Sequence, residues 1–320
     1  MVIIGSAILL ILLASVALLG TVIIPVSDFV IGRKITVGPD FYNNVLIPTG
    51  LLQLAAIAIA PLLRWGRPPT AVQRNVLLMS VMLGLVGAGI GFLVGLRHPI
   101  ALAVTLLATI AAAALVGAWL LEAQHEMAGW TWRWLARSLL DRRRQYSGFL
   151  IHVGFVCLAI GVTGSSLGTH RAELVLNEGE TIEWRGRSVR YVELVQRSMP
   201  EKLVAEAVLE VVPRSGAAFR LRPARHLHML ANQWTTEVAI HSSWAGDFYT
   251  ILNSGEGEGR VSLTLVENPL MRCILFGVAV MGLGAVAVLW PARRRAHVVV
   301  PPVPESGDQF SGVRERAEAA

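Results

Sequence analysis

His152 is the residue whose placement most demands a chemical reason. It stands in QYSGFLIHVGFVCLAIGVTGSS, inside an apolar run, about two helical turns from Arg142–Arg144. An ionisable side chain at that depth is costly and marks a functional position by default. Its imidazole has two readings. It can ligate a metal, haem iron included, whose axial ligands set the redox behaviour. It can instead hydrogen-bond a neighbouring helix's carbonyl and do nothing more. Gly154, two residues on, thins the helix where a flat macrocycle would need room.

The other candidates are weaker. His226 and His228, in RPARHLHML, are two apart and share one face if the segment is a strand. Without a third ligand, that pair reads first as a solvated face and only second as a metal or propionate site. His98 beside Pro99 and His170 at the end of the fifth apolar run are both accounted for by interfacial placement. His125, His241 and His297 carry no assigned role. The run GWTWRWLARSLLDRRR sets Trp130, Trp132 and Trp134 beside Arg133 and Arg137, the pattern of an interfacial helix with an aromatic belt and basic anchors. Cys157 and Cys273 lie in apolar runs with no CxxC or CxxCH, which excludes a disulfide scaffold, a cysteine zinc module and a self-contained c-type cytochrome. No catalytic triad, Walker motif or HExxH is present.

The elements that must position His152 are membrane spans. Mean hydropathy is +0.57, and only 16% of the 320 residues are charged, well below the usual quarter for a soluble domain. One apolar run leads from Met1 to Pro25, and five further stretches of 20 to 26 residues hold no Asp, Glu, Lys or Arg. A bilayer core needs about 20 such residues of helix. Six spans follow, at approximately 3–24, 45–63, 75–95, 99–121, 148–168 and 270–292. The first lacks a basic n-region and is long for a signal peptide, so it is expected to be retained. In the third, Gly87, Gly91 and Gly95 fall four apart as a packing ridge. A short connection around Arg97–Pro99 joins it to the fourth.

Basic residues orient the chain. With the N-terminus inside, the inner loops and tail hold Arg64, Arg67, Arg74, Arg133, Arg137, Arg142–Arg144, Arg293–Arg295, Arg314 and Arg316. The outer connections hold only Arg33, Lys34, Arg97 and Arg272. The positive-inside rule then places both termini in the cytoplasm. The net charge of +6 is therefore an orientation signal and not a nucleic-acid footprint.

The expected fold class is a polytopic α-helical membrane protein of six transmembrane helices with one small all-β extracytoplasmic domain. Residues 1–168 carry five spans, and 169–266 form the outer domain. The sixth span occupies 270–292, and 293–320, with VVVPPVPESGD, form a disordered cytoplasmic tail. In the outer domain AELVLNEGETIEW, RSVRYVELVQR, KLVAEAVLEVV, TTEVAIHSSW and VSLTLVE alternate apolar and polar residues. Turn signals at Asn177–Gly179, Arg185–Gly186, Ser215–Gly216 and Asn253–Gly257 separate them, giving about seven strands in a barrel or sandwich.

Several segments together resemble one family. LLGTVIIP, VGPDFYNNVLIPTGLLQL and APLLRWGR are similar to a block of the cytochrome c maturation haem lyase family (CcmF/NrfE). RRRQYSGFLIHVGFVCLAIGVTGSS resembles a span of that family, TTEVAIHSSWAGDFYTIL a strand pair, and ENPLMRCILFGVAVMGLGAVAVL its last helix. The resemblance runs in order from about residue 15 to residue 295 and covers only the family's C-terminal half. The tryptophan-rich WWD segment, its flanking histidines and a first membrane histidine have no counterpart. Trp130–Trp134 lack that pattern's glycines and aspartate. A split-gene subunit or a fragment is expected, and an initial Met followed at once by a span suits a separately encoded start.

By the resemblance, His152 matches the family's second membrane histidine, an axial ligand of a transmembrane haem b shared with a partner chain. The implied partners are the N-terminal haem lyase half, a haem chaperone, apocytochrome c, quinol as electron source and the lipid bilayer, with no nucleic acid. The implied location is the bacterial inner membrane, with residues 169–266 in the periplasm. Two other classes compete. One is a non-enzymatic scaffold in cytochrome c maturation whose β-domain recruits partners. The other is a transporter subunit, disfavoured because the spans hold no acidic residue and no inverted repeat.

Overall fold

Six helices form where the uncharged stretches lie, but their ends follow capping rather than charge. The computed structural model describes residues 2–33, 35–63, 68–124, 143–256 and 259–289. The helices are α1 (Val2–Ile31), α2 (Pro39–Ile59), α3 (Ala71–Leu93), α4 (Pro99–Gln124), α5 (Arg143–Gly168) and α6 (Met271–Leu289), with a 3₁₀ turn at Ala60–Leu62 extending α2. All six are long and apolar enough to cross a membrane.

Helix α1 runs through Pro25 rather than ending there. Proline removes one backbone donor and frees the Thr21 carbonyl four residues before it, a loss that membrane helices tolerate. Helix α2 starts at Pro39, where a missing N–H costs nothing, with Asp40 in its first turn beside the positive helix end. Helix α3 starts after Thr70 because Thr70 and Gln73 close a capping box. Arg74 thus lies within the helix, although it bounds the uncharged stretch.

Helices α3 and α4 form the expected hairpin. A Cβ on Gly87 would meet Thr109 Oγ1 at 3.0 Å, and one on Gly91 would touch Leu96 and Thr105, so both glycines serve helix packing. Gly95 does not. It follows the end of α3, has φ +108° with nothing near its Cβ position, and serves the turn.

Among its described residues the β-domain has ten strands, three more than the alternation suggests. They are β1 (His170–Asn177), β2 (Thr181–Trp184), β3 (Arg187–Ser198), β4 (Lys202–Pro213), β5 (Phe219–Leu221), β6 (Ala224–His228), β7 (Gln233–Glu237), β8 (Ala239–Ser242), β9 (Gly246–Glu256) and β10 (Arg260–Pro269). One sheet runs β1-β10-β9-β8, the other β2-β3-β4-β6-β7 with β5 beside β4. Every strand pair is antiparallel. The two sheets share one core, in which Leu176, Val189, Tyr191, Leu209, Phe248, Leu252 and Leu263 are buried.

The expected turn at Asn253–Gly257 begins later than its composition suggests. Strand β9 continues to Glu256, and the extra residue at Asn253 is absorbed where the β9–β10 register shifts. The short β2–β3 connection, Arg185–Gly186, has φ of +47° and +76°, as a two-residue hairpin turn with two left-handed positions requires. The expected tail, 293–320, lies outside the described residues.

Candidate functional site

Helix α5 presents two unlike faces. On one side it meets α6 backbone to backbone. A Cβ at Gly154 would stand 2.7 Å from the Gly277 carbonyl oxygen, and a Cβ at Gly277 would stand 2.6 Å from that of Gly154. Gly161 repeats the contact one pair of turns on, against Ile274 and Cys273, and Gly284 does so against Ser147 and Ile151. Small residues at such a crossing let the helices approach where lipid gives no hydrophobic drive to associate. Gly154 is therefore consumed by packing and leaves no space beside the histidine. This reverses the room expected of it.

His152 lies on the other side. It sits six residues into the Tyr146–Gly168 span, about 9 Å at 1.5 Å per residue. Phe149, Phe155, Val156 and Ala159 share its side of α5 and pack into the α2–α4 core with Leu54, Ile57 and Ala111. The imidazole is only partly covered. The backbone of Gly148, one turn back in the same helix, is the polar neighbour of the ring. With one ring nitrogen turned to that backbone, the second nitrogen's lone pair is directed elsewhere, as metal-ligating histidines require.

Gly148 is the second feature of this face. Nothing stands within 4 Å of where its Cβ would be. Its bare backbone next to His152 is the open position that Gly154 was expected to supply. Sequence spacing held the signal, since Gly148 and His152 are i and i+4 and share a face. Further along, Phe155, Leu158, Ala159 and Thr163 help line a cavity of about 370 Å³ shared with Leu13 of α1 and Asn43 of α2. His152 does not line this cavity; what fits a metal macrocycle at His152 is the donor chemistry of its imidazole and the open backbone at Gly148. Among the described residues no group of three or more His, Cys, Asp or Glu could hold a metal on its own.

The remaining candidates disperse. His226 Nε2 pairs with Glu237 Oε2 at 3.2 Å, and His228 Nε2 meets Thr235 Oγ1 at 3.1 Å, so each is engaged by the neighbouring strand β7. His241 stacks on Phe219 at 3.6 Å between ring centroids. His98 is exposed before α4, and His170, also exposed, opens β1 opposite Glu267. Cys157 is on α5 and Cys273 on α6, both as free thiols. His125, Trp130, Trp132, Trp134, Arg133, Arg137 and His297 lie outside the described residues.

At the domain's membrane end, two guanidinium groups converge on one carboxylate. Arg185 Nε reaches Glu267 Oε2 at 2.6 Å and Arg187 Nη1 reaches Oε1 at 2.7 Å. Burial alone would push the Glu267 carboxyl up, but these hydrogen bonds and positive charges outweigh it and hold it below the usual range. Sequence reasoning missed this group because its members are about 80 residues apart in the chain. The junction itself is tight. Thr169 Oγ1 donates to Asn268 Oδ1 at 2.7 Å, and Leu270 turns into α6 with φ +57° while its side chain rests over Gly164.

No family model matches the chain. It is 26% identical over 309 residues to the cytochrome c-type biogenesis protein CcmF of Pseudomonas fluorescens, covering 92% of this chain and 44% of that protein. The CcmF of Pseudomonas aeruginosa is 28% identical over 292 residues, covering 89% and 43%. The cytochrome c-type biogenesis protein NrfE of Haemophilus influenzae is 24% identical over 274 residues, covering 82% and 39%. A solved structure titled Cytochrome c Heme Lyase CcmF superposes with a TM-score of 0.70 at 23% identity, over 91% of this chain and 45% of its own, and shares the fold. The chain thus spans less than half the length of the curated relatives it matches. Over about 90% of its length the chain is similar to cytochrome c-type biogenesis proteins of the CcmF kind.

Proposed function

We propose that this chain acts as the C-terminal subunit of a cytochrome c haem lyase and supplies His152 as one axial ligand of a transmembrane b-type haem. The observation that carries the reading is the pairing of His152 with Gly148: an imidazole oriented by its own helix, beside backbone with nothing over it. The purely structural reading has the ring bonding a neighbouring helix, whereas its polar neighbour here lies within α5. The second axial ligand would come from a partner chain carrying the N-terminal half.

Bound there, the haem would supply one-electron chemistry between a quinol donor and the haem being attached to the CxxCH thiols of apocytochrome c. This chain's own contribution is positional. The Gly148 carbonyl would accept a hydrogen bond from one ring N–H and so favour one tautomer. Phe149, Phe155 and Val156 anchor α5 against α2 and α4, so the imidazole is held rather than swung. The Gly154–Gly277 crossing locks the opposite face. The outer domain, residues 169–266, would face the periplasm of a bacterial inner membrane and dock apocytochrome or a haem chaperone, with both termini cytoplasmic.

The test is cytochrome c maturation in cells whose only copy carries His152→Ala. Maturation should fall at least tenfold with the chain still present in the membrane. Unchanged maturation, with loss only on deleting residues 171–266, would favour the scaffold reading instead.

A further inference from the structure

The outer domain is not basic overall, yet three arginines gather at one corner of it. Arg185, Gly186, Arg187, Pro213 and Arg214 line an open hollow of about 510 Å³. The left-handed turn at Arg185–Gly186 builds it. Because Gly186 has no Cβ, the Arg214 stem can lie 3.1 Å from where one would be, and the Arg214 N–H donates to the Gly186 carbonyl at 3.0 Å. Glu267 holds Arg185 and Arg187 side by side, one on each carboxylate oxygen, and the Arg187 guanidinium lies over the Phe248 ring at 5.1 Å. One carboxylate thus stands against three guanidinium groups. Arg214 is exposed and makes no ion pair among the described residues.

The corner also stands close to the membrane helices. Glu267 precedes the start of α6 at Met271, and its ladder partner His170 follows the end of α5 at Gly168. At about 3.3 Å per residue this puts the cluster about 7–13 Å of chain from two helix ends, at and just beyond a headgroup layer of about 5–7 Å and within reach of it for extended arginine side chains. Guanidinium groups bind phosphate oxygens through paired N–H donors in a fixed fork, and a surplus of positive charge favours an anion over a neutral group.

We propose that Arg185, Arg187 and Arg214 form a phosphate-binding site at the foot of the outer domain. Glu267 orients two of the arginines, and Arg214 is the arm that closes on the ligand. The phosphate comes either from an anionic phospholipid headgroup of the adjoining leaflet or from a free phosphate in solution.

Native mass spectrometry of the full chain in neutral detergent tests this with phosphatidylglycerol, phosphatidylcholine and inorganic phosphate as probes. Arg214→Gln serves as the variant, because it breaks no ion pair within the described fold. Preferential retention of one phosphatidylglycerol, weakened about tenfold by Arg214→Gln, supports the site and assigns it to lipid. Retention of inorganic phosphate with no lipid preference, weakened likewise, supports the site with the free anion as its ligand. Retention of neither probe, or equal retention by native chain and variant, overturns the proposal. Arg185→Gln combined with Glu267→Gln removes one charge of each sign and should weaken binding too, so a folding defect in one variant does not decide the outcome.

Discussion

In the β-domain a core of large apolar side chains points inward, and in the helices most large apolar side chains point outward. Tyr191, Leu209, Leu252 and Leu263 are fully buried between the two sheets, while Ile11, Met79 and Leu275 on the helices are each about two-thirds exposed. The helices bury a few large side chains, Leu54 and Ile57 among them, but their closest approaches are made by small residues: Ala111 and Ala114 at 0% exposure, and the glycines of the α5–α6 crossing. Water drives the first arrangement through the hydrophobic effect. Lipid removes that drive in the second and leaves close backbone contact as the source of specificity. The teaching is that volume matters in opposite directions in the two regions. A partly covered, polar imidazole on a helix contributes to neither kind of packing.

Enlarging a helix-crossing glycine should therefore have the largest effect. Gly277→Leu forces a side chain into the Gly154 carbonyl, and the chain should fail to elute as a folded species in size-exclusion chromatography. Leu275→Ala, on the lipid side of the same helix, should leave elution unchanged. Equal behaviour of the two would break the comparison. In the outer domain the order is inverted: Leu209→Ala opens a cavity and should cost about 2–5 kcal/mol, read as a lowered unfolding midpoint.

A smaller effect should follow from pH. The Glu267 carboxyl is lowered by Arg185 and Arg187. The stability it contributes is present above its unfolded pKa and is lost as pH falls through the lower folded value. Acidification through the range below pH 4.5 should reduce the outer domain's melting temperature, and Glu267→Gln should flatten that dependence. A native slope in the variant would remove the Arg185–Glu267–Arg187 group from the account.

Much of the helical part was legible because a run of about 20 residues without charge has few alternatives. Helix ends were less so. Thr70 and Pro39 set the starts of α3 and α2 by capping, whereas Arg74 and the other charges mark only the apolar window. Strands β5, β6 and β9 escaped the alternation reading, β5 and β6 because they are three and five residues long and β9 because NSGEGEG resembles a turn even though β9 extends into it. His152 was visible from burial cost alone. The roles of its neighbouring glycines were not, because which one is open depends on where α6 packs, about 120 residues further along the chain. That is why Gly148, and not Gly154, is the open glycine beside His152.

The central claim rests on His152, and the visible absorption spectrum of the purified complex containing this chain and its N-terminal partner tests it most directly. A low-spin b-type haem spectrum should be present in the native complex and lost in His152→Ala, with circular dichroism unchanged. External imidazole should restore it in His152→Gly. A full haem spectrum in the alanine variant would contradict the account and return His152 to a merely structural place in α5.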